Sequence, residues 1–369
     1  MTPSPIRTSK RFIPAGLAPA TMILALAVAA HVPAQTEKSS RAPILAWDVQ
    51  TSGTMAGLRG VSAVDAETAW ASGSVGTVLR TIDGGRTWTA FKVPGAETVD
   101  FRDIEAFDAR TAVIMGIASP ARIFRTEDGG ATWTEAYRND AAGMFLDAIG
   151  FSGPADGWAV GDPLGGRIFL LTTSDGGRTW AEVPVERRPA AAEGEGLFAA
   201  SGTCLEAKSS SEVRFATGGP VSRIFHTADG GRTWAVADSP LLHGQPSYGT
   251  YSIAFRDART GIAVGGDYRN EPAAESNAAF TTDGGRTWTV PAERRPAGFR
   301  EGVVFVPGSR PALALAVGPS GSDFSLDDGR TWTPIPGPAG FHALSFARDG
   351  SAGWAVGKNG LIARIHPGR

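Results

Sequence analysis

The chain has 369 residues, 42% of them hydrophobic, with 48 glycines, 25 prolines and a formal net charge of −2. That composition allows a packed core with many tight turns, and the near-neutral balance excludes the basic surface that nucleic-acid binding requires. A lone cysteine, Cys204, excludes an internal disulfide, so the fold must hold through its core.

In chain order, Arg7, Lys10 and Arg11 come first, then the apolar stretch ATMILALAVAA (20–30) and Val32-Pro33-Ala34. A basic start, a short apolar segment and small residues at a cleavage point predict a secretory signal peptide over 1–34, cut near Ala34, with a linker over 35–42. The uninterrupted apolar run is 11 residues, short of the roughly 20 that a spanning helix needs. Pro14, Gly16 and Pro19 interrupt what precedes it, which counts against a membrane anchor. The expected product is exported, periplasmic or extracellular, monomeric, and without a transmembrane span. Cleavage removes three basic residues and leaves 32 against 37 acidic ones, a net charge near −5.

The octet TIDGGRTW (81–88) then recurs as TEDGGATW (126–133), TSDGGRTW (173–180), TADGGRTW (227–234), TTDGGRTW (281–288) and SLDDGRTW (325–332). Its aspartates, Asp83, Asp128, Asp175, Asp229, Asp283 and Asp327, are spaced by 45, 47, 54, 54 and 44 residues, each step a whole supersecondary unit. Before the first octet stand LRGVSAVD (58–65), AETAWASG (66–73) and TVLRT (77–81), and TWTAF (87–91) closes it. Later units repeat this order of short β-branched or apolar runs between Gly, Asp and Ser turns. Four antiparallel strands per unit with no helical periodicity predict an all-β fold, a β-propeller.

After the sixth octet come three more strands, GFHALSF (340–346), AGWAVG (352–357) and GLIARI (360–365). PILAWDVQTS (43–52) is a single strand ahead of the first unit. Docked beside Leu361–Ile365 it completes a seventh blade, with Trp47 where the other blades carry their octet tryptophan. The predicted domain is a seven-bladed propeller over 43–366, closed by joining the chain's two ends, which removes the open sheet edges.

In each octet Asp-Gly-Gly predicts a tight hairpin, glycine supplying the positive φ and the aspartate accepting the turn's own N–H groups. Trp88, Trp133, Trp180, Trp234, Trp288 and Trp332 then begin the outer strands and are expected to pack between blades. This octet resembles the Asp-box, or BNR repeat. In the sixth copy Asp328 replaces the first glycine, so that turn is expected to be the least regular. Six acids serving six equivalent hairpins are fold elements and do not converge on a metal or catalytic centre.

Function is then expected at the mouth of the central channel, at the starts of the inner strands. Aligning those strands on Val64, Phe107, Phe151, Phe255, Phe305 and Phe346 brings Arg59, Arg102, Asp103, Asp147, Tyr251, Arg300, Glu301 and His342 to the rim. Such a set can bind a polar or anionic partner by bidentate contacts, or its charges can neutralise one another across the channel. Long loops at 186–199, 237–250 and 265–279 are expected to overhang one side of the mouth. Cys204 reads as packing.

The six boxes, the blade count, the leader and the GWAVG-type second strands (157–161 and 353–357) resemble the photosystem II stability/assembly factor-like propellers. The resemblance implies a non-enzymatic scaffold that binds a protein or envelope partner, with Arg59, Arg102 and Arg300 as the partner-binding arginines. Sialidase-type propellers also carry Asp-boxes, which keeps a glycoside hydrolase open, with Tyr251, Glu301 (or Glu105) and Asp103 as its catalytic set and a glycan as ligand. The sialidase Phe-Arg-Ile-Pro signature is missing, and RFIP (11–14) is scrambled and lies in the leader. A third reading is a structural exported propeller without a single ligand. No cofactor is expected, and the five histidines show no metal-ligand spacing.

Overall fold

A computed structural model of the chain describes residues 45–365; the expected leader at 1–34 and linker at 35–42 lie outside the described residues. Seven antiparallel sheets follow one another along the chain. Each inner strand touches the inner strands of the blades on either side, and the seventh touches the first, so the ring is closed. The inner strands are Leu58–Ala63, Phe101–Ala106, Leu146–Phe151, Leu205–Ala207, Tyr248–Phe255, Gly302–Phe305 and Phe341–Phe346, in blades 1 to 7. Among the described residues no helix is long and apolar enough to cross a membrane.

The seam forms as the sequence predicts. Trp47–Gln50 pairs antiparallel with Ile362–Ile365, Trp47 opposite Ile365 and Gln50 opposite Ile362, and supplies the outer strand of blade 7. Gln50 fastens it: Oε1 accepts the indole N–H groups of Trp88 at 3.1 Å and Trp354 at 3.2 Å, while Nε2 donates to the Gly84 carbonyl at 3.0 Å. One side chain therefore joins both chain ends to the first box.

Each box is a small closed network. In the first, Thr81 Oγ1 donates to Asp83 Oδ1 at 2.8 Å and accepts from Gly85 N at 2.8 Å. Asp83 in turn accepts Thr87 N at 2.9 Å and Thr87 Oγ1 at 2.7 Å. Some box tryptophans bridge blades: Trp133 meets Trp70 edge-on at 6.4 Å and Trp234 meets Trp158 at 6.3 Å.

Two expectations are corrected. The sixth box is as regular as the others: Ser325 Oγ replaces the threonine hydroxyl, accepting Gly329 N at 2.9 Å, and Asp327 holds Thr331 N at 2.8 Å. Asp328 takes the left-handed φ of 59° that glycine takes elsewhere, and Arg256 holds its carboxylate at both oxygens. Blade 5 has three strands, not four. There the fourth reduces to one bridge, Phe280 with Thr289, because Pro291 follows and has no N–H to continue the ladder.

A bulge recurs at one place in the ring. In blades 1, 2, 3, 5 and 7 the pairing of inner and second strands slips by one residue, leaving Arg59, Arg102, Asp147, Tyr251 and His342 as the extra residue. A Cβ on Gly161 or Gly357 would strike the carbonyl of Phe145 or Gly340 there, which gives the GWAVG strands a steric reason for their final glycine.

Candidate functional site: the channel mouth

The bulge aims its residue at the mouth. In blade 6 Gly318 closes on the Phe299 carbonyl and the Arg300 Cα, as Gly73 closes on Gly57 and Leu58, so Glu301 matches Arg59 and Arg300 matches Leu58. The rim set is thus Arg59, Arg102, Asp147, Tyr251, Glu301 and His342. Arg300 and Asp103 sit one residue to either side of it.

That single residue decides direction, because side chains alternate along a strand. Arg300 is 1% exposed. Its Nε donates to Asp323 Oδ2 at 2.8 Å, Nη1 donates to the Phe299 carbonyl and Ser320 Oγ, both at 2.8 Å, and Nη2 also touches Asp323. It is a buried structural arginine, not a rim group, and the expectation that it shares a binding role with Arg59 and Arg102 is corrected. Asp103 faces the channel interior, accepting Ile104 N and Ile149 N at 2.8 Å each. Burial outweighs those donors and pushes its carboxyl up to about 7.

Four rim groups form a crescent over blades 6, 7, 1 and 2. Glu301 Oε2 accepts His342 Nδ1 at 2.6 Å and Arg59 Nη1 at 3.2 Å. Arg102 Nε donates to Asp100 Oδ2 at 2.7 Å, and its Nη1 donates to the Ala199 carbonyl at 2.9 Å. Partial burial draws the Arg59 pKa down, Glu301 opposes that, and Arg102 adds to it, so the two guanidinium groups feel each other. The side chains of Arg59 and Arg102 keep 25% and 24% exposure, while Glu301 keeps 6%. Mutual pairing therefore ties Arg59 and His342 to Glu301 and Arg102 to Asp100, while each arginine keeps about one-quarter of its side chain exposed.

The other half of the mouth is closed. Ser201 Oγ donates to the Glu301 carbonyl at 2.8 Å, Thr203 Oγ1 meets Ser252 Oγ at 2.6 Å, and Gly202 lies against Asp103. Residues 199–203 thereby span from blade 2 to blades 5 and 6. Under this segment Asp147 is fully buried with neither carboxylate oxygen hydrogen-bonded; burial, with Asp162 beside it, raises its pKa well above the usual range. Cys204 is buried there too, in the core as expected.

Tyr251 is also committed to the fold. Its ring stacks on Phe198 at 3.8 Å, and its hydroxyl donates to the Ser247 carbonyl at 2.8 Å. Burial raises its pKa, and in this structure both the ring and the hydroxyl serve packing. Asp103 and Glu105 lie below the covering segment, in a cavity of about 290 Å³ that also reaches Arg348. There burial, with Asp103 adding, pushes Glu105 up to about 8. Of the long loops, 237–250 and 265–279 interlock, Leu242 N donating to the Ser276 carbonyl at 3.0 Å. Sequence reasoning did not single out Asp100 or the bridging of the mouth by residues 199–203. Asp100, two residues before Arg102, carried a readable signal as a partner for it.

Residues 97–239 match the family model described as photosynthesis system II assembly factor YCF48. No curated protein matches. Among solved structures, YCF48 bound to D1 peptide is 18% identical, with 87% of this chain and 94% of that chain covered and a TM-score of 0.62. YCF48 from Cyanidioschyzon merolae is 18% identical over 87% and 99%, at a TM-score of 0.57. A GH74 xyloglucanase from Xanthomonas campestris is 17% identical over 86% of this chain and 53% of its own, at a TM-score of 0.59, so this chain spans about half its length. At these identities the likeness is one of fold.

Proposed function

We propose that this YCF48-like BNR propeller is an assembly or binding scaffold that holds a peptide segment of a protein partner at the channel mouth. One observation carries the reading: Arg59 and Arg102, held by Glu301 and Asp100, each keep about one-quarter of their side-chain surface exposed at the mouth. Two such groups suit a carboxylate-bearing peptide, since guanidinium forks bind carboxylates bidentately. The similarity to a YCF48 bound to D1 peptide supports a peptide as the occupant. The leader-like start supports a partner met outside the cytoplasm, an envelope protein among the candidates. The mass of the protein recovered from an exporting host tests that, and a product retaining residues 1–34 counts against it.

The binding test uses labelled peptides of about ten residues ending in a free carboxylate, read by fluorescence anisotropy. Arg102→Ala removes one charge-assisted contact, so affinity should fall about tenfold or more. Amidating the peptide's carboxylate should have a similar effect on the wild type. Binding that ignores both changes rejects the mouth as the site.

A further inference from the structure

Val75 combines an unfavourable backbone conformation with an apolar side chain left in solvent. It occupies the turn between the second and third strands of blade 1, between Ala69–Gly73 and Thr77–Thr81. Its φ is 58°, and it is the one β-branched residue among the four non-glycine residues described with positive φ. In that region a branched Cβ crowds its own carbonyl, which makes valine a poor choice where glycine, asparagine or aspartate would fit. Burial does not compensate, because Val75 is 72% exposed. Strain combined with exposure of an apolar side chain is the pattern of a residue kept for contact with something else.

The turn's neighbours point to where that contact lies. Ser74 N donates to the Gly57 carbonyl at 3.0 Å and Gly57 N to Ser74 Oγ at 3.1 Å, tying the turn to the connection that runs into Arg59. Gly76 N donates to the Val99 carbonyl at 2.8 Å, tying it also to the connection that runs into Asp100 and Arg102. The first of these connections carries Met55, 76% exposed, the most exposed of the large apolar side chains among the described residues. An unbranched thioether adapts its shape to an incoming apolar group.

We infer that Met55 and Val75 form the apolar half of the partner site whose charged half is Arg59 and Arg102. The inference rests on reading the mouth as a peptide site and adds a specificity to it. The occupant is an extended peptide of a protein partner, carrying a carboxylate for the arginines and, a few residues away, an aliphatic or aromatic side chain for Met55 and Val75. Chemical complementarity guides this choice: an apolar pair beside two arginines that are each ion-paired yet about one-quarter exposed suits a segment carrying both an acid and an apolar side chain.

The experiment compares Val75→Gly and Met55→Ser with the wild type. The probes are peptides of about ten residues with a free terminal carboxylate and one leucine, whose distance from the carboxylate is varied, each paired with a leucine-to-serine version. Glycine accepts the left-handed turn, so Val75→Gly should melt at the wild-type temperature or above. It should nonetheless bind the best leucine peptide several-fold more weakly, with the serine versions binding wild type and variant alike. Met55→Ser should show the same selective loss. A Val75→Gly protein that melts earlier would mean that the valine serves the fold, and would overturn the inference. Sensitivity to Arg102→Ala without sensitivity to either variant would overturn it and leave the mouth reading intact. No binding by the wild type would reject both. Loss of self-association in Val75→Gly, by sedimentation velocity, would assign the patch to a second copy of the chain and overturn the peptide.

Discussion

Two arginines spaced alike from the apolar ends of their strands meet opposite fates. Arg102 reaches the mouth, one-quarter exposed, with Asp100 and a peptide carbonyl as partners. Arg300 is enclosed with Asp323, a pair whose side chains are each 1% exposed. Removing one member of a buried pair leaves the other charged in a medium that cannot solvate it, a loss of about 3–5 kcal/mol. Arg300→Met should therefore lower stability by that order in denaturant melts, while Arg102→Ala should cost about 1 kcal/mol or less. Equal losses would contradict the roles assigned here. The difference arises because Phe305 pairs with Ala314 as Ala106 pairs with Ala112, one residue before the place that Phe107 and Val64 hold, so counting back from it lands one residue off the rim.

At the scale of elements, the box hairpin and the seam strand show how local chemistry becomes architecture. The first hydroxyl residue (threonine, or Ser325 in the sixth copy) and the aspartate of each octet satisfy their own turn, so the hairpin forms wherever the octet is written; even Asp328 does not disturb it. The seam depends on long-range pairing, Trp47 with Ile365. Gln50→Leu would strand the indole N–H groups of Trp88 and Trp354, and each unsatisfied buried donor costs about 1–3 kcal/mol. Its midpoint in urea should drop accordingly, and deleting residues 43–52 should abolish cooperative melting. A truncated chain that melts like the intact one would mean that the ring does not need its closing strand.

For the molecule as a whole, two populations of carboxyl groups oppose each other in their response to pH. Hydrogen bonds from the Thr87 and Thr132 side chains and amides hold Asp83 and Asp128 at about 2, below the unfolded value near 4. Their contribution is complete above about pH 4 and is lost as pH falls towards 2. Asp103 at about 7 and Glu105 at about 8 are raised by burial, so the folded state holds their protons longer than the unfolded chain. What they contribute is complete below about pH 4 and is lost as pH rises through 7 to 8. Thermal stability should peak on the acid side of neutrality, near pH 4 to 5. Glu105→Gln should flatten the decline towards pH 8, which melting followed by circular dichroism across that range will show. A peak at pH 8 would contradict the raised pKa values of buried Asp103 and half-buried Glu105.

The octets, their spacing and the orphan strands at the two ends were enough to determine seven blades and the way the ring closes, because those features are local or strictly periodic. Mutual neutralisation at the rim was legible as an alternative, since opposite charges occupy equivalent positions around a narrow opening. Which arginine faces the mouth was not, because one residue of register turns a side chain from the mouth into the blade. The covering of the mouth by residues 199–203 was decided only in three dimensions. That segment has no periodicity of its own, and its partners, Arg102, Ser252 and Glu301, come from three different blades.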